Sequence, residues 1–234
     1  YIFDPKSKYV LSSLALSYNQ PGATDDKAFD DDLNGVNPNH LNLSNNRISV
    51  FPKQLFSTGS PITTLNLMAN MLAEIEEGDL QGENTHLITS IDLRFNRLSE
   101  LPDDFRATTI PYLQGFDISY NRCAKFPTNV LNCYELQAIG VRHQRDEQGN
   151  RILREWPEGI TNCPSLLQLQ IGGNDIRKVN EAMTSKLWIV EVKDNPNISL
   201  DVSAVCSLIQ QGMWLLIYDK TQDIKGCDAL DIER

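Results

Sequence analysis

The feature that most constrains this chain is an internal repeat with a period of about 25 residues. Each copy places apolar residues in the frame L-x-x-L-x-L-x-x-N, and the cleanest copy runs through Ile88, Ile91, Leu93 and Asn96. The asparagine recurs as Asn19, Asn46, Asn70, Asn96, Asn121, Asn174 and Asn195. The first five are separated by 27, 24, 26 and 25 residues. Such a sustained period indicates a solenoid, in which each repeat buries its apolar face against its neighbours.

The alternation within the frame predicts one short strand in each repeat, because every second side chain of a strand faces the same way. Stacked copies pair these strands side by side. We therefore predict an α/β solenoid, a leucine-rich-repeat horseshoe of about eight repeats with a parallel β-sheet on its concave face. Pairs such as Leu101-Pro102 and Phe126-Pro127 predict an irregular or 3₁₀ convex side, since proline disfavours helix in the residue before it.

The recurring asparagine has a structural role in this prediction. It falls where the chain leaves the strand and turns inward, so that backbone groups there lack a partner in a neighbouring strand. Its side-chain amide both donates and accepts hydrogen bonds and can satisfy those groups. We therefore predict that the seven asparagines form a ladder along the solenoid.

The repeats divide the chain into three parts. Residues 1–40 form an irregular N-terminal segment with the first repeat and an acidic loop, residues 41–200 carry the other repeats, and residues 201–234 form a C-terminal cap. Within the cap, Asp201 is suited to begin a helix that ends before Gly212, and 214–218 predicts a final strand. A polar run interrupts the sixth repeat and predicts an inserted loop over 143–152, at what is often a binding rim.

Charge and hydropathy exclude several functions. The net charge of −10 argues against a nucleic-acid partner, which requires clustered lysine and arginine. No run approaches the roughly 18 apolar residues of a transmembrane segment. No signal peptide is evident at Tyr1, so we expect any targeting segment to lie upstream. The acidic segment 25–32 is interpreted as a solvated loop; the alternative is a calcium site, whose D-x-[DN]-x-[DN]-G spacing it lacks.

The five cysteines show no C-x-x-C spacing, so we predict no metal site and no cofactor. Cys123, Cys133 and Cys163 take the places of small apolar residues in the repeats, and we expect them to be buried rather than redox-active. Cys206 and Cys227 lie in the predicted cap, where we favour a disulfide over two free thiols. Such a bridge would require an oxidising compartment.

No arrangement of catalytic residues is evident, and we predict that the protein is not an enzyme. The three histidines fall in different repeats, and there is no nucleophile elbow, H-E-x-x-H or Gly-rich phosphate loop. Acid-base catalysis by His143 with Asp117 is one alternative, although such pairs are mostly surface contacts. Cys227-Asp228 is similar to the Cys-x-Asp segment of bacterial leucine-rich-repeat ubiquitin ligases. Those enzymes place the cysteine in a large helical domain, however, and only seven residues follow it here.

These motifs together resemble those of the secreted or surface-anchored leucine-rich-repeat proteins of gut Bacteroidetes. The likeness covers nearly the whole chain and rests on the repeat frame, Arg-Asp-Glu-Gln-Gly-Asn-Arg at 145–151, Trp-Pro at 156–157 and the tail at 218–230. The resemblance implies export, usually as a lipoprotein, and a binding role. It carries over no catalytic residue.

Outward-facing positions of the strands and of the turns after them line the predicted concave face. In the middle repeats these positions combine aromatic, arginine and acidic side chains, and aromatic and arginine anchors are enriched at binding hot spots. The candidate binding residues are Asp92, Arg94, Phe95, Asp117, Tyr120, Arg142, His143 and Gln170. Two interpretations of the aromatic residues stay open: anchors for a partner, or rings that stack and stiffen the solenoid. Gly172-Gly173 beside them predicts a bare spot that a partner can approach closely.

We expect a non-catalytic extracellular binding scaffold, secreted or anchored at the cell surface. A protein partner on the concave face is the first expectation, because a solenoid offers an extended surface to macromolecules. A glycan-binding module and a passive spacer for an upstream domain are the alternatives. A glycan site would need two or three exposed aromatic residues facing one groove, which only Phe95 and Tyr120 supply. A spacer would have a featureless concave face.

Overall fold

One parallel β-sheet runs through the molecule. The structure, a computed structural model, describes residues 12–18, 38–57, 61–178, 187–199 and 215–219. Within these residues nine strands pair in sequence order. They are β1 Ser13–Ala15, β2 His40–Asn42, β3 Thr64–Asn66, β4 Ser90–Asp92, β5 Gly115–Asp117, β6 Ala138–Gly140, β7 Gln168–Gln170, β8 Ile189–Glu191 and β9 Leu215–Ile217. The predicted leucine-rich-repeat fold is confirmed: β1 to β8 fall in the eight predicted repeats, and β9 lies within 214–218.

The core lies directly behind the sheet. In β1 to β8 the middle residue is buried while its two neighbours are more exposed in nearly every strand, as the alternation predicts. Neighbouring strands pair without a shift, so that Leu65 pairs with Ile91 and Ile91 with Phe116. Each buried side chain of this size stabilises the fold by about 1.5–3 kcal/mol. The unshifted pairing also places the outward-facing residues of successive repeats in straight columns.

The convex side is built from short helical turns. One α-helix, α1 at Gln54–Ser57, lies in the second repeat, and 3₁₀ turns lie at Thr85–Leu87, Thr128–Asn132 and Ile160–Asn162. This confirms the prediction of a mostly irregular or 3₁₀ return. The large rings Phe105 and Trp156 are buried behind these turns.

The three repeat cysteines are buried, as predicted. Burial raises the pKa of the Cys123 and Cys133 thiols to about 12 and also raises the pKa of Cys163. Since the thiolate is the reactive form, these side chains behave as small apolar residues.

A ladder of side-chain amides follows the carboxyl ends of the strands. The Nδ2 group of Asn96 donates to the carbonyls of Leu67 and Leu93, both at 3.0 Å. Its Oδ1 accepts from the N–H of Leu72 at 3.0 Å. One side chain therefore joins its own repeat to the preceding one. The same donor pattern, to one carbonyl in each of two repeats, is made by Asn46, Asn70, Asn121, Asn174 and Asn195.

In the sixth repeat the ladder position is taken by Gln144, which the sequence analysis did not identify. Its Nε2 donates to the carbonyl of Ile118 at 2.9 Å, and its Oε1 accepts from the N–H of Cys123 at 2.9 Å. The ladder thus passes through this repeat without a break. The sequence analysis assigned 143–152 to an insertion. The first two of these residues, His143 and Gln144, belong to the repeat itself, so the ladder role of Gln144 was missed.

The insertion is a small hairpin closed by an antiparallel bridge between Arg145 and Arg151. Asp146 organises it: Oδ1 accepts from the backbone N–H groups of Gln148 at 3.0 Å and Asn150 at 2.8 Å. We refer to residues 145–151 as the insertion hairpin. It lies at the edge of the sheet where the strands end, next to the sixth ladder position.

Several predictions fall outside the described residues. They concern Asn19 in the ladder, the acidic segment 25–32, the cap helix from Asp201 and the disulfide between Cys206 and Cys227. In the described part of the chain, no helix is long and apolar enough to cross a membrane. The same part contains no group of three or more His, Cys, Asp or Glu residues that could hold a metal ion.

Candidate functional site

The residue just before each ladder position has a left-handed backbone. Seven such residues other than glycine have φ between 51° and 63°. In chain order the column is Tyr18, Asn45, Ala69, Phe95, Tyr120, His143, Gly173 and Asp194. This conformation costs most residues roughly 1–2 kcal/mol, while glycine and asparagine adopt it readily. Backbone preference alone therefore does not explain aromatic residues in this column.

Three of these side chains form an aromatic stack, our name for Phe95, Tyr120 and His143. The ring centroids of Phe95 and Tyr120 lie 4.2 Å apart with 10° between the planes, and those of Tyr120 and His143 lie 4.6 Å apart at 15°. The rings remain open to solvent, with 47% of Phe95 and 37% of Tyr120 exposed. The stacking that the sequence left open is thus present, and it leaves an exposed aromatic surface.

The rings of the stack differ in what they present to solvent. Tyr120 has a ring against each of its faces, so its exposed part is the ring edge and the hydroxyl group. Aromatic ring edges carry partial positive charge. Beyond Phe95 the aligned residue is Ala69, so no ring continues the stack on that side.

The predicted bare spot at Gly172-Gly173 is wrong, because both glycines are buried. A Cβ atom on Gly173 would lie 2.3 Å from two atoms of the His143 ring, and one on Gly172 would lie 2.9 Å from Oε1 of Glu191. The space freed by the missing side chains is filled by neighbouring repeats. The two glycines therefore make room for the His143 ring and the Glu191 carboxylate, and not for a partner.

On the concave side of the stack lies an ion-pair chain, our name for Asp92, Arg94, Asp117, Arg142 and Glu191. Arg94 binds Asp92 at 2.6 Å and lies 3.9 Å from Asp117. Arg142 then joins Asp117 at 3.6 Å to Glu191 at 3.5 Å. The charges alternate, so both arginines are balanced by carboxylates within the chain. The hydrogen bond to Asp92 also raises the pKa of Arg94 above its usual value.

The carboxylates of the ion-pair chain also shape the backbone. Oδ1 of Asp117 accepts from the N–H of Ser119 at 2.8 Å, and Oδ1 of Asp92 accepts from the N–H of Arg94 at 3.1 Å. Asn66 makes the same contact to Met68 in the third repeat. A side-chain oxygen bonded to the backbone two residues on is an Asx turn, which ends each strand here. The recurrence of Asn or Asp as the last residue of the strand is the sequence pattern that indicates this turn.

His143, the last ring of the stack, lies near Arg145 and Arg151 of the insertion hairpin. Burial, and next the charge of Arg145, lower the pKa of His143 below its usual value. Its imidazole is therefore neutral at pH 7, as suits a ring stacked on Tyr120. Among the described residues it makes no hydrogen bond or ion pair with Asp117, which gives the acid-base alternative no geometric support.

The structure therefore brings together seven of the eight candidate binding residues. The eighth, Gln170, pairs with Gly140 and with Glu191 in the sheet, and its side chain makes no hydrogen bond to other described residues. Glu191, which the predicted site did not include, closes the ion-pair chain. The contact of Glu191 depends on the long Arg142 side chain, which reaches across two repeats. The residue types at equivalent repeat positions do not reveal a contact of this kind.

The sheet, the amide ladder and a matching family model define the class of this protein. A model described as Leucine Rich Repeat matches residues 37–58. The chain has the leucine-rich-repeat fold.

Among solved structures, the chain is similar to two leucine-rich-repeat proteins of Bacteroides. It is 54% identical to one from Bacteroides thetaiotaomicron VPI-5482, with a TM-score of 0.88, over 100% of this chain and 29% of that one. It is 59% identical to one from Bacteroides eggerthii DSM 20697, also with a TM-score of 0.88, over 99% and 39% of the two chains. Among curated proteins, keratocan of Danio rerio is 28% identical over 169 residues, 71% of this chain and 45% of keratocan. The chain spans less than half the length of each of these proteins.

Proposed function

We propose that this chain is a non-catalytic binding scaffold that recognises a protein partner through the aromatic stack and the adjoining ion-pair chain. The proposal includes export, with the protein secreted or held at the cell surface. The observation that carries it is the exposed stack: three rings occupy left-handed positions, and two of them, Phe95 and Tyr120, remain open to solvent.

The fold does not require rings at these positions. The second and third repeats place Asn45 and Ala69 there with the same backbone conformation. Stacking contributes about 0.5–1.5 kcal/mol per aromatic pair, which is of the same order as the strain of a left-handed residue. Since stability gains little, exposed rings beside arginine side chains are better explained as anchors for a partner.

A protein partner fits this surface better than a glycan or no partner. A glycan site needs two or three open aromatic faces; Tyr120 has both faces covered, and within the stack only the outer face of Phe95, toward Ala69, has no ring against it. A passive spacer gives no reason for exposed rings and alternating charges in the middle repeats. The extended sheet is also the kind of surface that repeat solenoids use to bind macromolecules.

Export rests on the resemblance to the secreted and surface-anchored leucine-rich-repeat proteins of Bacteroidetes. We expect the protein in the medium or on the surface of the cells that produce it, where added protease digests it without cell lysis. Detection only inside intact cells would contradict export.

The binding proposal is tested with two double variants. The stack variant, Phe95→Ala with Tyr120→Ala, keeps the backbone conformation that Ala69 already adopts. The control variant, Tyr112→Ala with Tyr134→Ala, removes two tyrosines that are 54% and 68% exposed in the turns leading into β5 and β6. Immobilised wild type and both variants, checked by thermal melting, are incubated with host mucosal and bacterial surface extracts.

We expect a partner that wild type and the control variant capture and the stack variant does not. With the purified partner, the stack variant should raise the Kd at least about tenfold, since each hot-spot residue contributes about 2 kcal/mol or more. Equal capture by all three proteins, or no specific capture by wild type, would contradict the proposal.

A further inference from the structure

An arginine stands two residues after each ring of the aromatic stack. The sequence reads Phe-Asn-Arg at 95–97, Tyr-Asn-Arg at 120–122 and His-Gln-Arg at 143–145. The amide between ring and arginine is a buried ladder residue in all three repeats. Backbone hydrogen bonds join each arginine to the preceding repeat: the N–H groups of Arg97 and Arg122 donate to the equivalent residues Leu72 and Leu98, both at 2.8 Å, and that of Arg145 donates two residues earlier in its neighbour, to Asn121 at 2.9 Å. We call Arg97, Arg122 and Arg145 the arginine row.

Two members of the row have no carboxylate partner. Arg97 is exposed, and within the described ranges no acidic side chain forms an ion pair with it or with Arg145. The guanidinium of Arg145 donates instead to the backbone carbonyls of Gly173 and Gln144. The two arginines of the ion-pair chain, by contrast, are balanced by their neighbours. The spare positive charge of this region therefore lies on the arginine row and not on the ion-pair chain.

The third member of the row, Arg122, has a carboxylate partner that a carboxylate of another molecule can replace. Arg122 binds Glu147 of the insertion hairpin at 2.7 Å, and the Glu147 side chain is 71% exposed. Exposed pairs of this kind contribute about 0–1 kcal/mol. A carboxylate supplied by another molecule can therefore take the place of Glu147 at little cost.

We infer that the arginine row receives the carboxylates of an acidic, extended segment of a protein partner, whose apolar side chains pack on the aromatic stack. This inference rests on the proposed function and adds the chemistry of the partner. The exposed ring edges carry partial positive charge and favour the same acidic groups. The net charge of −10 opposes an acidic partner only weakly, since charges farther than about 8 Å are largely screened at physiological ionic strength.

The observations favour an acidic peptide over an anionic glycan. Both would supply carboxylates for the row. A glycan would also need two or three open ring faces, and the stack leaves one, the outer face of Phe95. A peptide side chain can pack against edges as well as faces.

The test uses a random copolymer of glutamate and tyrosine as the probe, with polygalacturonate as the anionic glycan and a lysine–tyrosine copolymer as the charge-reversed control. Binding is measured on the full chain and three variants. The row variant carries Arg97→Gln with Arg122→Gln. Glu147→Gln removes the internal competitor, and Arg106→Gln is the matched control, an exposed convex arginine that bonds only Thr108 by its side chain.

At physiological ionic strength we expect the row variant to bind the glutamate–tyrosine copolymer about fivefold or more weakly than wild type, since two charge contacts are lost. Glu147→Gln should bind it about twofold or more tightly, and Arg106→Gln should match wild type. Failure of wild type to bind the copolymer, equal binding by the row variant, or weaker binding by Glu147→Gln would overturn the inference. Tighter, row-dependent binding of polygalacturonate would also overturn it, in favour of an anionic glycan.

Binding of the partner captured from the surface extracts distinguishes a failure of this inference from a failure of the proposed function. A partner lost by the stack variant but bound normally by the row variant would leave the proposed function standing and refute the role of the row. A partner unaffected by either variant would refute both.

Discussion

At the scale of single residues, the position before the ladder amide combines a fixed backbone with a free choice of side chain. Asparagine, alanine, glycine, aspartate and aromatic residues all occur there with positive φ. The amide that follows it has no such freedom, because it is buried and joined to two repeats. We therefore expect a substitution at the first position to affect the proposed binding and a substitution of the amide to affect stability.

The effect of the ladder amide on stability can be tested at Gln144. Replacing it with alanine leaves the buried N–H of Cys123 without its acceptor and removes one of the two donors to the carbonyl of Ile118, which keeps its hydrogen bond from Asn121. An unsatisfied buried group costs about 1–3 kcal/mol, so Gln144→Ala should lower the free energy of unfolding by about 1–3 kcal/mol in urea denaturation. Gln148→Ala, on the exposed insertion hairpin, should leave it within about 0.5 kcal/mol. A loss below about 1 kcal/mol for Gln144→Ala would show that the ladder does not depend on this side chain.

His143 gives a prediction for pH dependence. Its pKa is lowered in the folded protein, by burial and then by Arg145, from an ordinary value of 6.5. Above pH 6.5 the ring is neutral in both folded and unfolded states and has no effect on the pH dependence. As the pH falls below 6.5, the unfolded chain takes up a proton first, and stability is lost until the pH passes the folded pKa.

The measurement compares wild type with His143→Asn, which keeps a residue suited to the left-handed backbone. Between about pH 7.5 and pH 5, wild type should lose more unfolding free energy than the variant. Parallel profiles for the two proteins would contradict a lowered pKa for His143.

At the scale of single elements, the strands were predictable from sequence and the contacts between their side chains were not. The alternation around residues such as Ile91 predicts a strand with one buried face, and the structure has that strand. The ion-pair chain depends on side-chain lengths across several repeats, as in the pair of Arg142 with Glu191 at 3.5 Å. The period alone carries no information on such distances.

Two glycines in neighbouring strands have opposite roles, which mutation should reveal. A Cβ atom on Gly140 of β6 would lie 2.6 Å from the carboxylate of Asp117, whereas one on Gly115 of β5 would meet only Ser90, at 3.5 Å. Gly140→Ala should displace Asp117 from Arg142 and lower the unfolding free energy by roughly 1 kcal/mol. Gly115→Ala should leave stability unchanged or raise it by about 0.4–1 kcal/mol, since alanine restricts the unfolded chain. Equal effects of the two substitutions in thermal and urea denaturation would contradict this account.

At the scale of the whole molecule, the repeat period determines the fold, whereas the proposed function depends on residues that the repeat pattern does not specify. The recurring asparagines and leucines predict the sheet, the ladder and the face each side chain takes. Gln144 was missed because a glutamine replaced the expected asparagine directly before an insertion. Gly172-Gly173 was misread because sequence cannot show that a neighbouring ring fills the space above a glycine.

The central claim is that a partner contacts the exposed aromatic stack. It is tested most directly by photo-crosslinking, with p-benzoylphenylalanine replacing Phe95 or Tyr120 one at a time, and Tyr112 or Tyr134 in matched controls. After exposure to the same surface extracts and to ultraviolet light, the first two positions should become covalently joined to one common partner protein and the control positions should not. Crosslinks that form only from the control positions, or equally from all four, would contradict the claim.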